Sequence, residues 1–277
     1  MIISIASGKG GTGKTFVSTS LALSIGEAHF LDCDVEEPNA HIFLKPQISK
    51  IEKVTVKIPQ IDKRKCNFCG KCAEVCEYNA IAVAKGKVII FDNLCHSCGA
   101  CTLFCPEGAI SEKEKEVGKV NVGKIKDIKF TSGELNVGEA MAIPVIKKVK
   151  ERIRENETVI IDAPPGTSCP VIETVKDSDY CVLVTEPTPF GLADLKLAVE
   201  VVRKLKILFG LIINKHNSEF METEEFCRQE KIPILLKIPE DRKIAEAYSK
   251  GIPLVEGFSE YKSEFIRIFD EVVKKKK

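Results

Sequence analysis

Apolar residues come in short blocks along this chain, and the period of the blocks identifies the elements. Ile2–Ala6 is a continuous apolar run of strand length, followed by a Gly-rich stretch, Ser7–Thr15. Phe16–Gly26 has helical periodicity and stops at Gly26, a residue suited to a helix C-terminus. His29–Leu31 reads as a buried strand that runs into Asp32-Cys33-Asp34, so the start of the chain is a βαβ unit. Val54–Ile58 alternates apolar residues with lysine, as a half-exposed strand does. From Pro59 to about Ser111 the texture changes to cysteines, glycines and short alternations, which marks an insert. After Glu112 the strand–helix rhythm resumes. Gly138–Ile153 is helical with Pro144 inside, which predicts a kink or a late start. Strands are expected at Thr158–Ile161, Tyr180–Thr185, Ile207–Ile213 and Ile232–Leu236, and helices at Leu192–Leu205, Ser218–Lys231 and Asp241–Lys250. This alternation predicts an α/β, doubly wound, mostly parallel sheet, with ligands bound at the carboxyl ends of its strands. The loops after Ala6, Leu31 and Ile161 all lie there. The expected division is 1–58 plus 113–277 for the α/β domain and 59–112 for the insert.

Composition narrows the picture. A length of 277 residues suits one large domain carrying a small insert. With 41 basic and 40 acidic residues, the chain has no charge excess for capturing nucleic acid, and none is expected as a partner. No apolar run approaches the roughly 20 residues that span a bilayer. The N-terminus lacks the basic region of a signal peptide, so a cytoplasmic protein is expected. Twelve cysteines in a reducing compartment point to metal ligands or redox groups rather than disulfides. The absence of Trp, with abundant Lys and Glu, leans towards a thermophilic source.

Gly8-Lys9-Gly10-Gly11-Thr12-Gly13-Lys14-Thr15 matches G-x-x-x-x-G-K-[ST] between a strand and a helix. The glycines let backbone amides converge on phosphates, Lys14 reaches the β and γ phosphates, and the Thr15 hydroxyl is placed for Mg²⁺. With Lys9 near its start, this phosphate loop resembles that of the ParA/MinD/Mrp group of ATPases, a phosphate-loop NTPase family that includes the nitrogenase iron protein. The resemblance implies ATP and Mg²⁺ as ligands and a slow hydrolysis that depends on a dimer. The dimer is formed with a second copy or with a related ATPase, and Lys9 reaches the partner's nucleotide. It further implies that Asp34, in "LDCDVEEPN", orients the attacking water, and that Asp32 and Asp162, the latter in "IIDAPPGT", contact the Mg²⁺ shell. Asn214, after "LII", and Pro239, in "IPED", correspond to adenine-side positions.

Cys66-x₂-Cys69-x₂-Cys72-x₃-Cys76 is followed by Cys95-x₂-Cys98-x₂-Cys101-x₃-Cys105-Pro106, a repeat offset by 29 residues. The block resembles a bacterial two-cluster ferredoxin, a small α+β unit. The resemblance implies two [4Fe–4S] clusters, with the fourth cysteine of each run serving the other cluster. Cluster one then takes Cys66, Cys69, Cys72 and Cys105, and cluster two takes Cys95, Cys98, Cys101 and Cys76. The departure is Glu77, where the ferredoxin pattern has proline. Zinc usually takes two widely separated C-x₂-C pairs, which fits this spacing less well. Such a short insert has little core of its own, and is expected to unfold without its iron.

Four cysteines lie outside the block: Cys33, Cys169, Cys181 and Cys227. Cys181 and Cys227 read as bystanders. Cys169 lies seven residues after Asp162, a spacing similar to that of a cluster ligand in the nitrogenase iron protein, but no second cysteine lies between Ser111 and Asp162. Cys169 is therefore carried as a candidate for a metal or redox role. The segment Tyr261–Lys277 is amphipathic and reads as a packed last helix rather than a membrane contact. Together these features predict an ATP-hydrolysing protein whose nucleotide-dependent dimer switch is coupled to electron transfer, with a redox or metallocofactor protein as partner. Two alternatives are a carrier that delivers clusters or a metal cofactor, and a MinD-like spatial organiser in which the clusters are structural.

Overall fold

The computed structural model describes residues 1–276. The chain opens with β1 (Ile2–Ala6), α1 (Lys14–Ile25), β2 (His29–Asp32), α2 (Ala40–Leu44) and β3 (Gln47–Ile61). The cysteine-rich part holds α3 (Lys71–Glu74), β4 (Ile81–Ala84), β5 (Lys87–Ile90) and α4 (Ala100–Leu103). Then come β6 (Ile110–Ile125), β7 (Ile128–Leu135), α5 (Ile143–Lys150), β8 (Val159–Asp162), α6 (Cys169–Val175), β9 (Tyr180–Thr185) and α7 (Pro189–Lys204). The chain finishes with β10 (Leu208–His216), α8 (Glu222–Gln229), β11 (Ile234–Pro239), α9 (Arg242–Ser249), α10 (Leu254–Gly257) and α11 (Glu260–Lys276).

Nine strands form one sheet in the order β11-β10-β9-β1-β8-β2-β7-β6-β3. Every pairing from β11 to β7 is parallel, and β6 runs antiparallel to both its neighbours. The fold is thus the expected mostly parallel α/β sheet. Its central strands are almost wholly buried and mostly apolar because helices cover both faces. One face packs on α1 and α11 through Phe16, Leu21, Phe265 and Ile268. The other packs on α7 through Leu195, Val199 and Val202, and on α5 through Val145, Ile146 and Val149. Helix α1 is buried nearly all round, and its hydroxyls are satisfied locally, with Thr19 Oγ1 donating to the Thr15 carbonyl at 2.6 Å and Ser24 Oγ to that of Ser20 at 2.8 Å.

Helix α5 starts late, one of the two outcomes expected from Pro144, which lies in its first turn, where the missing amide has no partner to lose. Two departures from the sequence reading matter. Strand β3 is far longer than Val54–Ile58. Strands β6 and β7 have no counterpart in the sequence reading: β6 pairs with β3 from Gln47↔Lys124 to Ile61↔Ile110, and β7 pairs with β6 and β2. The cysteine-rich segment grows from the far end of this β3–β6 pair, where the Asp62 amide donates to the Ala109 carbonyl at 2.8 Å. It has its own hairpin, β4–β5, and a small apolar centre of Cys72, Ile81 and Ile110.

Helix α11 buries Phe265, Ile268 and Val272 in the main core, and the last lysine of the tail, Lys277, lies outside the described residues. Among the described residues, no helix is long and apolar enough to cross a membrane.

Candidate functional site

The phosphate loop, the loops after β2 and β8, which correspond by resemblance to the family's first and second switch loops, and the rim of β9–β11 meet at the carboxyl ends of the parallel strands. Gly11 and Gly13 hold left-handed backbone at φ 77° and 92°. Gly8 is fixed by proximity: a Cβ there would lie 2.2 Å from the Asp194 carbonyl oxygen of α7. A Cβ on Gly13 would meet Asn214 Nδ2 at 2.3 Å. That amide donates to the Thr12 carbonyl at 2.8 Å, so Asn214 holds up the loop from beneath. That bond engages one of the two Nδ2 hydrogens and does not involve Oδ1, so it sits beside the adenine-side position that the resemblance implies for Asn214. Pro239 ends β11 opposite His216, on the exposed rim. Gly10 faces open space, and Thr12 is buried.

Lys14 and Thr15 are buried at the start of α1, close to Asp34 and Asp162. Asp32 and Asp162 are partners in register on β2 and β8. They behave differently. Asp32 accepts from the amides of Asp34 at 3.2 Å and Ala40 at 3.1 Å, closing the loop between them. Each oxygen of Asp32 thus accepts one backbone amide, and burial pushes its carboxyl well up, with Asp162 adding repulsion. Asp162 is fully buried, and neither oxygen has a hydrogen-bond partner of ordinary geometry, although the Thr15 and Ser18 hydroxyls face it. Burial pushes its carboxyl up to about 6, against the Lys14 charge. Burial likewise pushes Asp34 up to about 7, against Lys14 and with Asp162 adding repulsion. An unpartnered buried carboxylate beside a threonine hydroxyl is a donor set suited to a hard divalent cation.

Lys9 forms an ion pair with Glu186, which also binds Lys215 at 3.0 Å. Lys215 in turn donates to the Gly11 carbonyl at 3.3 Å. Sequence reasoning missed Glu186 and Lys215, which belong to no motif and are brought to the loop only by the order of the strands. The second switch is stitched to the first strand: the Gly166 amide donates to the Ser7 carbonyl at 3.0 Å, and the Ala163 amide to that of Ile5 at 3.0 Å. Cys169, at the start of α6, is exposed. Cys33 is fully buried and its thiol is pushed up, first by burial and then by Asp32, so it is not a ready thiolate.

The eight cysteines of the insert regroup in space. Cys66, Cys69, Cys72 and Cys105 line one small cavity. Cys95, Cys98, Cys101 and Cys76 line another. The backbone repeats with the sequence: Phe68, Gly70 and Asn79 have positive φ, and so do Ser97, Gly99 and Gly108, each 29 positions on. The fourth cysteine of each run accepts from the amide four residues later, Cys76 from Ala80 and Cys105 from Ala109, both at 3.3 Å. Burial pushes the thiols of Cys72, Cys95 and Cys101 up. Among the described residues, no three His, Cys, Asp or Glu side chains converge as a ready single-ion site. The sulfurs ring the cavities instead. Tyr78 and His96 stack over the second cavity, with ring centroids 3.7 Å apart.

A parallel α/β sheet with a glycine loop on the first helix and aspartates on the two adjoining strands defines a phosphate-loop nucleotide-binding protein. The family model of the CobQ/CobB/MinD/ParA nucleotide binding domain matches residues 3–254, and the chain belongs to that family. An uncharacterised protein of Methanocaldococcus jannaschii is 31% identical over 258 residues, covering 91% of this chain and 90% of its own length. A protein of Pyrococcus abyssi named iron-sulfur cluster carrier protein is 23% identical over 305 residues, covering 99% of this chain and 86% of its own length. Among solved structures, the septum site-determining protein MinD of Pyrococcus horikoshii, complexed with Mg-ADP, superposes with a TM-score of 0.61 at 20% identity, covering 98% of this chain and 95% of that one.

Proposed function

We propose that this chain is an ATP-hydrolysing iron–sulfur protein, in which a nucleotide switch of MinD/ParA type is coupled to electron transfer by a two-cluster insert. The observation that carries the reading is the regrouping of two sequence runs of cysteine into two mixed sets of four around separate cavities. Residues 59–112 act as the insert, rooted on the ends of β3 and β6, and 1–58 with 113–277 as the nucleotide domain.

In the nucleotide domain, the amides from Gly10 to Thr15 and the Lys14 ammonium hold the phosphates. Thr15 and Asp162 would hold Mg²⁺, which neutralises phosphate charge when bound. Asp34 orients the attacking water. Lys9 leaves Glu186 and reaches across a dimer to the partner's nucleotide, where its charge offsets that of the transition state. In the insert, each cysteine set would hold one [4Fe–4S] cluster, which supplies one-electron chemistry when bound. The amides of Ala80 and Ala109 donate to the sulfurs of Cys76 and Cys105, a contact that tunes potential.

Two measurements test this reading. Anaerobically purified protein is expected to carry about eight iron atoms per chain, two cubanes' worth, and zinc in their place would overturn it. Lys9→Ala is expected to lower ATP turnover by about 10³-fold, as loss of a charge supplied in trans does, with ATP binding retained. Unchanged turnover would remove Lys9 from the reaction.

A second reading, delivery of clusters to an acceptor, is favoured by the relatives named iron-sulfur cluster carrier protein and by the exposure of Cys69, Cys98 and Cys169. Cys33, being buried, takes no part in it. Incubation of loaded protein with an apo-ferredoxin separates the two: delivery predicts loss of iron to the acceptor, and electron carriage predicts retention.

A further inference from the structure

The two cysteine sets are not equivalent in their surroundings. The cavity of the first is bordered by Ile61, Val83, Val88 and Ile110, which belong to the insert's own hairpin and to the strand tips. The polar side-chain pairs beside it, Asn67 with Glu107 and Lys71 with Glu74, stay within the insert. The second set lies deeper along the β3–β6 pair, against Lys57, Pro59 and Glu112. Cys95 packs on the apolar cluster that contains Cys33 and Val35 of the first switch loop.

A polar connection runs alongside that contact. Lys115 of β6, largely buried, places its ammonium 2.8 Å from the Glu139 carboxylate, 2.9 Å from Asn93 Oδ1 and 3.3 Å from the Asp92 carbonyl. Asp92–Leu94 is the single helical turn that leads into Cys95, whose amide donates to the Asp92 carbonyl at 3.4 Å. On the other side, Glu139 lies in the segment joining β7 to α5. Its amide donates to the Asn136 carbonyl at 3.1 Å, and the Asn136 amide to that of Val117 at 2.9 Å. The preceding residue, Leu135, donates from its amide to the Val35 carbonyl at 2.8 Å. Val35 also lies flat on β7, because Gly133 has no side chain: a Cβ there would sit 2.6 Å from Val35 Cγ1.

We propose that the second cysteine set, Cys76, Cys95, Cys98 and Cys101, is the nucleotide-responsive one, and that Lys115 is the positioning residue that links it to the first switch loop; this rests on reading the cysteine sets as cluster sites. A nucleotide that moves Asp34 moves Val35, and with it the segment from Leu135 to Glu139. Lys115 is bound to Glu139 by a charge-assisted pair and to Asp92 and Asn93 by hydrogen bonds, so the turn before Cys95 follows. The first set has no comparable connection among the described residues.

The test is hydrogen–deuterium exchange on the anaerobically purified full chain, with and without Mg²⁺ and a non-hydrolysable ATP analogue, with iron measured on the same sample. The expected result is a change of about fivefold or more in exchange over 91–103, in the range of a typical coupling between sites, and a much smaller change over 63–76. Lys115→Met is expected to abolish the response at 91–103 while leaving iron content and ATP affinity at wild-type values. Glu139→Gln, which keeps the shape and removes the charge, is expected to reduce it in the same direction. Equal responses of the two segments, or a full response in both variants, overturns the proposal while the cluster reading stands. A chain that binds no iron overturns the cluster reading and the proposal with it.

Discussion

Replacing Asn214 with alanine is the sharpest probe of how the phosphate loop is held. Asn214 Nδ2 donates to the Thr12 carbonyl at 2.8 Å, and both residues are buried. Without the amide, that carbonyl has no partner and no access to water, at a cost of about 1–3 kcal/mol. If the loop of the free protein relaxes to recover solvent, nucleotide binding must restore it, and the cost falls on affinity. At about 1.4 kcal/mol per factor of ten, the dissociation constant for ADP then rises by roughly 5- to 150-fold. If the loop does not relax, the cost falls on thermal stability instead, so the two readouts together must account for it. The assay is a titration with ADP, GDP and tripolyphosphate, with a thermal melt of the same samples. Support of the loop from beneath predicts an equal weakening for all three ligands, since each needs the same loop. A contact with adenine predicts a loss confined to ADP. A variant that binds ADP within twofold of wild type and melts at the same temperature would refute the reasoning.

Two further predictions concern pH and metal. Burial lowers the pKa of His29 from its ordinary 6.5, against the pull of Glu157. The unfolded chain therefore binds a proton more readily than the folded one, and the His29 contribution to stability is lost as pH falls below about 6.5. The buried aspartates of the nucleotide site, whose carboxyls burial pushes up, work in the opposite sense. The His29 effect is therefore read as the difference in melting temperature between wild type and His29→Gln, which should shrink as pH is lowered from 7 to 5; a difference that does not change with pH refutes it. Removing iron is expected to unfold 62–109, whose apolar centre is small, and to leave the nine-stranded sheet folded. Limited proteolysis of the apo-protein should then cut within 62–109 first, and an insert as resistant as the holo form would contradict it.

Much of this molecule was legible because its signals are local. The phosphate loop lies between a predicted strand and a predicted helix, and both formed within two residues of the expected bounds. The central strands announced themselves as apolar runs because they are buried on both faces. Strand β6 did not, since the side chains along Ser111–Glu116 are exposed or half-buried and only the partner β3 makes the segment a strand; β7 did not, because its buried run carries Thr131, Ser132 and Gly133 in place of aliphatic residues. Glu186, Lys215, Lys115 and Glu139 were illegible for a similar reason: each acts through a residue far away in sequence, and a lone charge carries no spacing. Asp32 and Asp162 are both aspartates at strand ends, and only the backbone hydrogen bonds distinguish the loop-closing one from the free one.

The claim that joins the two halves of the molecule is that nucleotide state changes the properties of the iron–sulfur sites. A redox titration of the anaerobically purified full chain, followed by electron paramagnetic resonance with and without Mg²⁺ and ATP, tests it most directly. The account predicts signals from two [4Fe–4S] clusters and a midpoint potential of at least one of them that moves when nucleotide binds. Two clusters with identical potentials in both conditions, or a chain that yields no such signals, would contradict it.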